Sequence, residues 1–159
     1  MSGKTERDWK TERVDGRDLD LDEVLEVYHS SGLGERRPVG DRARMAAMVR
    51  GANLVVVARD ADGALIGIAR SVSDFSYVTY LSDIAVAGRL QRSGVGLALL
   101  EETRRQAPDA KVVLLSAPAA AGYYPRVGFT RHESAWVLAP GQPLAGSRPE
   151  PQEDPVTRP

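Results

Sequence analysis

The sequence contains no cysteine, so disulfides, thiolate metal sites and a cysteine nucleophile are excluded. It has no apolar run of the length a membrane-spanning helix needs. No basic tract of the kind that grips nucleic acid stands out either, because 21 basic and 22 acidic side chains are spread along the chain and leave a formal net charge of -1. Arg36-Arg37 and Arg104-Arg105 are pairs rather than patches, and the second lies among Glu101 and Glu102 at helical salt-bridge spacings. The first ten residues hold no apolar stretch, so they do not read as a secretory signal, and a cytoplasmic location is the expectation. Histidine is scarce: His29 falls on an early helix and His132 in a late loop, neither with an obvious acidic partner. No metal site is expected.

What remains is an ordinary globular composition, 42% hydrophobic and 27% charged, in 159 residues, which suffices for one domain with a proper core. Residues 1–8 are polar and read as a disordered start; 9–139 read as the single folded domain. From residue 140 the chain is dominated by Pro140, Pro143, Pro149, Pro151, Pro155 and Pro159 with little apolar content, and it reads as a disordered tail.

Trp9 to Val14 is expected as a first strand. Asp20 caps a helix, with Glu23 completing a capping box and Leu21, Val24, Leu25 and Tyr28 on one face, and the helix stops near Ser31-Gly32. A second helix starts at Asp41 with Met45, Met48, Val49 and Ala52 inward. Asn53 to Arg59 and Ala64 to Val72 read as strands joined by a turn from Asp60 to Gly63, and Ser73 to Ser76 make a further turn. Tyr77 to Val86 is the long fourth strand. A helix from about Gly94 to Gln106 ends before Pro108, Lys111 to Ser116 is a fifth strand, Ala119 to Val127 a short helix, and Phe129 to Leu138 one or two closing strands.

The stretch from Leu81 to Gln106 organises the rest. Its segment Gln91-Arg92-Ser93-Gly94-Val95-Gly96 puts free backbone N–H groups at the first turn of a helix, where they have no intrahelical acceptor. The helix dipole adds positive character there, and the glycines let a ligand reach the backbone, so a phosphate or pyrophosphate is the natural guest. The dinucleotide fingerprint fails because Leu99 fills its third small position. No G-x-x-x-x-G-K-[ST] occurs, which removes the nucleoside-triphosphate loop.

Gln91, Gly94 and Gly96 satisfy the pattern Q/R-x-x-G-x-G/A, after a strand ending Asp83-Ile84-Ala85-Val86. Downstream, Ala120, Tyr124, Gly128 and Phe129 satisfy A-x-x-x-Y-x-x-x-G-F. These two motifs, in this order, resemble those of the GNAT superfamily of acyl-CoA-dependent N-acyltransferases. The resemblance implies an α/β GNAT fold: a mixed, mostly antiparallel central sheet flanked by helices and splayed between its fourth and fifth strands. It implies acetyl-CoA as cofactor, with Gln91, Arg92, Ser93, Gly94, Val95, Gly96 and Leu97 around its pyrophosphate. Ile84, Ala85 and Val86 would lie along the pantetheine arm, the backbone of Ile84 and Val86 pairing with its amides.

The reaction implied is transfer of an acetyl group to a primary amine by direct attack. An amine titrates near 10.4 and a thiol near 8.5, so a base must deprotonate the nucleophile and an acid helps the thiolate leave. Tyr124, at the motif tyrosine, is the expected acid and a cofactor contact; Tyr123 beside it is expected to be structural. Alternation along the fourth strand puts Tyr80, Ser82, Ile84 and Val86 on one face and Leu81, Asp83 and Ala85 on the other. Asp83 is a candidate base because a carboxylate in an apolar strand must be used or paired; the paired reading, to a neighbouring loop, stands beside it. Tyr80 and Ser82 are candidates for lining the acceptor pocket. The asparagine that the family often has after the fifth strand is replaced by Ala117. Expected partners are a small-molecule or peptide amine, without nucleic acid or membrane, and a homodimer is compatible with the resemblance. The alternatives are a catalytically idle acyl-CoA-binding sensor or interaction module, and a phosphate-ligand binder unrelated to coenzyme A.

Overall fold

Among the described residues, five strands rich in β-branched residues are joined by turns and by helices whose apolar residues recur every three or four positions. The computed structural model describes residues 7–146, in two units that meet at the Gly122/Tyr123 peptide bond. In the first unit, β1 (Trp9–Val14), β2 (Leu54–Asp60), β3 (Leu65–Ser73), β4 (Val78–Val86) and β5 (Lys111–Val113) form one sheet in sequence order. The first three pairings are antiparallel and β4–β5 is parallel, as a crossover through a helix requires.

β4 and β5 pair only at Val78–Lys111, Thr79–Val112 and Tyr80–Val113. Beyond Tyr80, β4 runs on to Val86 with no strand of the described residues paired on that side, which agrees with the splay expected of the fold. The fifth strand therefore ends at Val113, short of Ser116.

Helices α1 (Leu21–Ser31) and α2 (Arg42–Gly51) cover one face of the sheet. Val24, Val27, Tyr28, Met45 and Val49 pack there against Val55, Val57, Ile68 and Ala85. α3 (Val95–Gln106) covers the other, and it sits close because β3 has Gly67 beneath it: a Cβ there would meet Leu99 Cδ1 and Val95 Cγ1 at 3.1 Å each. α1 starts with Asp20 accepting from the Asp22 N–H at 2.8 Å and ends at Gly32, in the left-handed region at φ 85°. The capping box does not form, because Glu23 turns instead to the Arg59 guanidinium (3.4 Å) and the Leu65 N–H (3.5 Å). Asp41 caps α2 through the Arg44 N–H. Among the described residues, no helix is long and apolar enough to cross a membrane.

The expected short helix from Ala119 to Val127 is two pieces, a 3-10 turn at Pro118–Ala120 and, opening the second unit, α4 (Tyr123–Arg126). The closing strands expected over Phe129 to Leu138 do not form. A strand exists only where a neighbour completes its ladder, and here the backbone bonds are local, such as the Ser134 N–H to His132 Nδ1, with Trp136 91% and Val137 75% exposed. Of the expected tail, residues 147–159 lie outside the described residues, as do residues 1–6 of the expected disordered start.

Candidate active site

β4 carries the site's centre, and its register with β3 is broken once. Arg70 faces Asp83 but Ser71 faces Leu81, so Ser82 is the extra residue of a β-bulge. The bulge changes which side chains share a face. Thr79 and Leu81 stand with Ile84 and Val86 on the α3 side, while Tyr80, Asp83 and Ala85 point to the α1/α2 side, since directly paired residues share a face. This corrects the strict alternation expected from sequence, which put Leu81 with Asp83 and Tyr80 with Ile84.

Asp83 is buried and its oxygens are fully engaged. Oδ1 accepts from Arg37 Nε, and Oδ2 accepts from Arg70 Nε at 2.6 Å and from the Tyr28 hydroxyl at 2.7 Å. Burial pushes this carboxyl up, but the hydrogen bonds from Arg70 and Tyr28, the Arg70 charge and the Arg37 hydrogen bond outweigh it and hold it below its ordinary value. Burial, then the Asp83 charge, drives the Tyr28 hydroxyl far up. The same two arginines hold Ser82: Arg37 Nη2 donates to its carbonyl at 2.9 Å, and Arg70 Nη2 donates to its Oγ at 2.8 Å. Ser82 thus has its hydroxyl bound within the protein, whereas Tyr80 is 39% exposed.

The cluster of Tyr28, Arg37 and Arg70 around Asp83 was not identified from sequence. Arg70 and Asp83 did leave a signal, each a lone charge in an otherwise apolar strand. Tyr28 and Arg37 left none, being 55 and 46 positions from Asp83.

At the far end of β4 the Ala87 N–H donates to the Ile66 carbonyl at 2.8 Å. Alternation of the antiparallel ladder then makes Ala85 and Asp83 the hydrogen-bonded positions toward β3 and turns the N–H and C=O groups of Ile84 and Val86 to the open edge. One of these is already engaged, since Gln91 Nε2 donates to the Val86 carbonyl at 3.3 Å and to the Ser31 carbonyl at 3.2 Å. Gln91 therefore ties the glycine turn to the ends of β4 and α1. The Gly88 N–H, bonded to Ser30 Oγ at 2.7 Å, adds a second tie.

The turn itself runs from a 3-10 segment at Gly88–Leu90 through Arg92, at φ 65°, to Gly94, at φ 91°. Gly94 is the N-cap of α3 and offers no side chain to cap it. The first bond of the helix runs from the Ala98 N–H to the Gly94 carbonyl, so the N–H groups of Val95, Gly96 and Leu97 precede the helical ladder. Three outward amides beside an open strand edge fit a ligand that combines a diphosphate with an amide-bearing arm. That is the chemistry of coenzyme A.

Tyr124 lies in the second unit, on α4. Its ring stands edge-to-face against Tyr123 and Phe129, each at 5.4 Å between centroids. Gly128, at φ 99°, closes the turn that brings the Phe129 N–H to the Tyr124 carbonyl at 3.0 Å. Tyr124, Gly128 and Phe129 of the second motif are thus together. Burial, with Tyr123 adding to it, raises the Tyr124 hydroxyl, which keeps it protonated at neutral pH. Ala117 lies in the first unit, just before the Pro118–Ala120 turn, and brings no polar side chain. Among the described residues, no group of three or more His, Cys, Asp or Glu is placed to hold a metal ion.

Comparison of the sequence with curated proteins gives no significant match. Solved structures do resemble it. A GNAT-family acetyltransferase from Streptococcus pneumoniae is 22% identical with a TM-score of 0.62, covering 82% of this chain and 98% of its own. An acetyltransferase from Trypanosoma brucei is 23% identical with a TM-score of 0.58, covering 83% and 99%. An aminoglycoside acetyltransferase from an uncultured soil metagenomic sample is 19% identical with a TM-score of 0.60, covering 83% and 95%. At such identities the likeness is one of fold, and it is the expected α/β fold. The family model described as "Acetyltransferase (GNAT) domain" matches residues 25–138, spanning both motifs and all of β2 to α4. The chain therefore belongs to the GNAT acetyltransferase family, whose acetyl donor is acetyl-CoA.

Proposed function

We propose that the chain moves an acetyl group to a primary amine of a small molecule or peptide by direct attack, without a covalent enzyme intermediate, in the cytoplasm. The observation that carries this reading is the uncapped start of α3 beside the unpaired edge of β4. Acetyl-CoA supplies an activated thioester carbonyl.

The chain's own residues then have three tasks. The amides of Val95, Gly96 and Leu97 bind the diphosphate, helped by the dipole of α3. The outward groups of Ile84 and Val86 orient the pantetheine arm as an added strand would. Tyr124 Oη holds the proton that the departing sulfur takes, the role that the tyrosine of the second motif implies.

Asp83 is a poor base in this reading. A carboxylate with three donors and a depressed pKa has little tendency to accept a further proton, so its part is structural. The amine is then deprotonated by another group or by water. Tyr80, exposed on the α1/α2 face, remains the acceptor-side contact. One similar fold is an aminoglycoside acetyltransferase solved in complex with sisomicin, which supports an amine acceptor as a class.

The test is release of free thiol from acetyl-CoA against a library of primary amines, diamines and lysine peptides. Amine-dependent release with acetylated product is expected. Tight coenzyme A binding with no transfer to any amine would make the protein an idle cofactor-binding module.

A further inference from the structure

A bulge is a weak point in a strand, because the extra residue has no cross-strand partner. Here that residue is Ser82, and its polar groups are held by side chains: its carbonyl by Arg37 Nη2 and its hydroxyl by Arg70 Nη2. Both guanidiniums share the one carboxylate of the next residue, Asp83. Arg70 belongs to the sheet. Arg37 does not: it comes from the connection between α1 and α2, just after a 3-10 turn at Leu33–Arg36, and its side chain is 23% exposed.

The register on either side of Ser82 decides which backbone groups of β4 reach the open edge. Sliding the strand by one residue would exchange the inward and outward sets, turning the Ile84 and Val86 amides toward β3. It would also move Asp83 away from Arg70 and Tyr28. We propose that Arg37 is a positioning residue that latches the bulge, through the Ser82 carbonyl and Asp83, and so fixes the β4 edge that receives the pantetheine arm. Arg37 touches no reacting atom in this account. It couples the connection between α1 and α2 to the cofactor edge and leaves the glycine turn untouched.

The inference rests on coenzyme A binding, and its test separates the two. Affinities of wild type and Arg37→Ala are measured by calorimetry for two probes. One is coenzyme A; the other is 3′-phosphoadenosine 5′-diphosphate, which keeps the diphosphate and lacks the pantetheine arm. The expected result is about a tenfold loss for coenzyme A in the variant, equivalent to about 1.4 kcal/mol, with less than a twofold change for the nucleotide. Backbone amide exchange should quicken over residues 81–86. Equal affinity for coenzyme A in both proteins, or a parallel loss for both probes, overturns the latch, the second by showing a general loss of structure. If Arg37→Ala does not fold, Arg37→Lys keeps the charge and loses the fork, and the same selective loss is expected, with its absence overturning the proposal. Failure of wild type to bind coenzyme A would count against the proposed function instead.

Discussion

Arg37 and Arg70 are brought to one place by a single carboxylate, and the burial of that carboxylate sets what its removal costs. Asp83→Asn keeps the shape but leaves two guanidiniums sharing a site without their counter-ion. Breaking a buried pair in this way typically costs about 3–5 kcal/mol, and a loss toward the lower end is expected because Arg37 is partly exposed. Urea unfolding of the two proteins at neutral pH measures it. The pH dependence follows from the direction of the shift. Because the folded-state pKa of Asp83 is depressed, its contribution is fully present above the unfolded carboxyl value of about 3.9 and is lost as pH falls through the lower folded value. The gap between wild type and Asp83→Asn should therefore narrow only below about pH 4. A gap that closed near pH 6 would show a carboxyl free enough to serve as a base. Tyr124→Phe tests the opposite kind of role, since the ring still fills its place against Tyr123 and Phe129 while the proton is gone. Turnover should fall on the order of a hundredfold with acetyl-CoA affinity nearly unchanged. If kcat stays within about threefold of wild type under conditions where chemistry limits the rate, the hydroxyl is not the acid.

At the scale of elements, the start of α3 makes the sharpest prediction. Gly96 lies in the first turn of the helix, where an aspartate suits the dipole, so Gly96→Asp should fold. It would place a negative charge against the amides proposed to bind the diphosphate, and coenzyme A affinity should drop by tenfold or more in calorimetry. A folded variant that binds acetyl-CoA as well as wild type would remove the anion site from the glycine turn. This turn was readable from Gln91, Gly94 and Gly96 because the requirement is local: a left-handed glycine and a bare helix start. The helices α1, α2 and α3 and the strands β1 to β4 were readable for the same reason, each declaring its period within its own residues. The bulge at Ser82 was not. Thr79, Leu81, Asp83 and Ala85 are all buried, so burial alternates straight through it, although the face covering them changes from α3 to α1 and α2. Only the register against β3 exposes the switch.

On the scale of the whole chain, legibility follows sequence distance. The order of elements and the open edge of β4 agree with what the two motifs imply, whereas the ring of donors around Asp83 joins residues from α1, the following connection and β3 that no local pattern links. The closing strands failed for a related reason: Phe129 to Leu138 holds apolar residues enough for a strand, but a strand is a property of a pair. The same distinction between composition and pairing governs the end of the chain. Among the described residues, every buried hydrophobic side chain lies between Val24 and Ala110, and residues 141–146 are exposed. The composition beyond residue 140, proline-rich and poor in apolar side chains, offers little that a core could bury. Removal of residues 141–159 is therefore expected to leave the melting temperature and the affinity for acetyl-CoA close to those of the full chain, measured by thermal unfolding and calorimetry on matched preparations. A loss of affinity with an unchanged melting temperature would assign the tail a part in the site, and a fall in both would assign it a place in the fold.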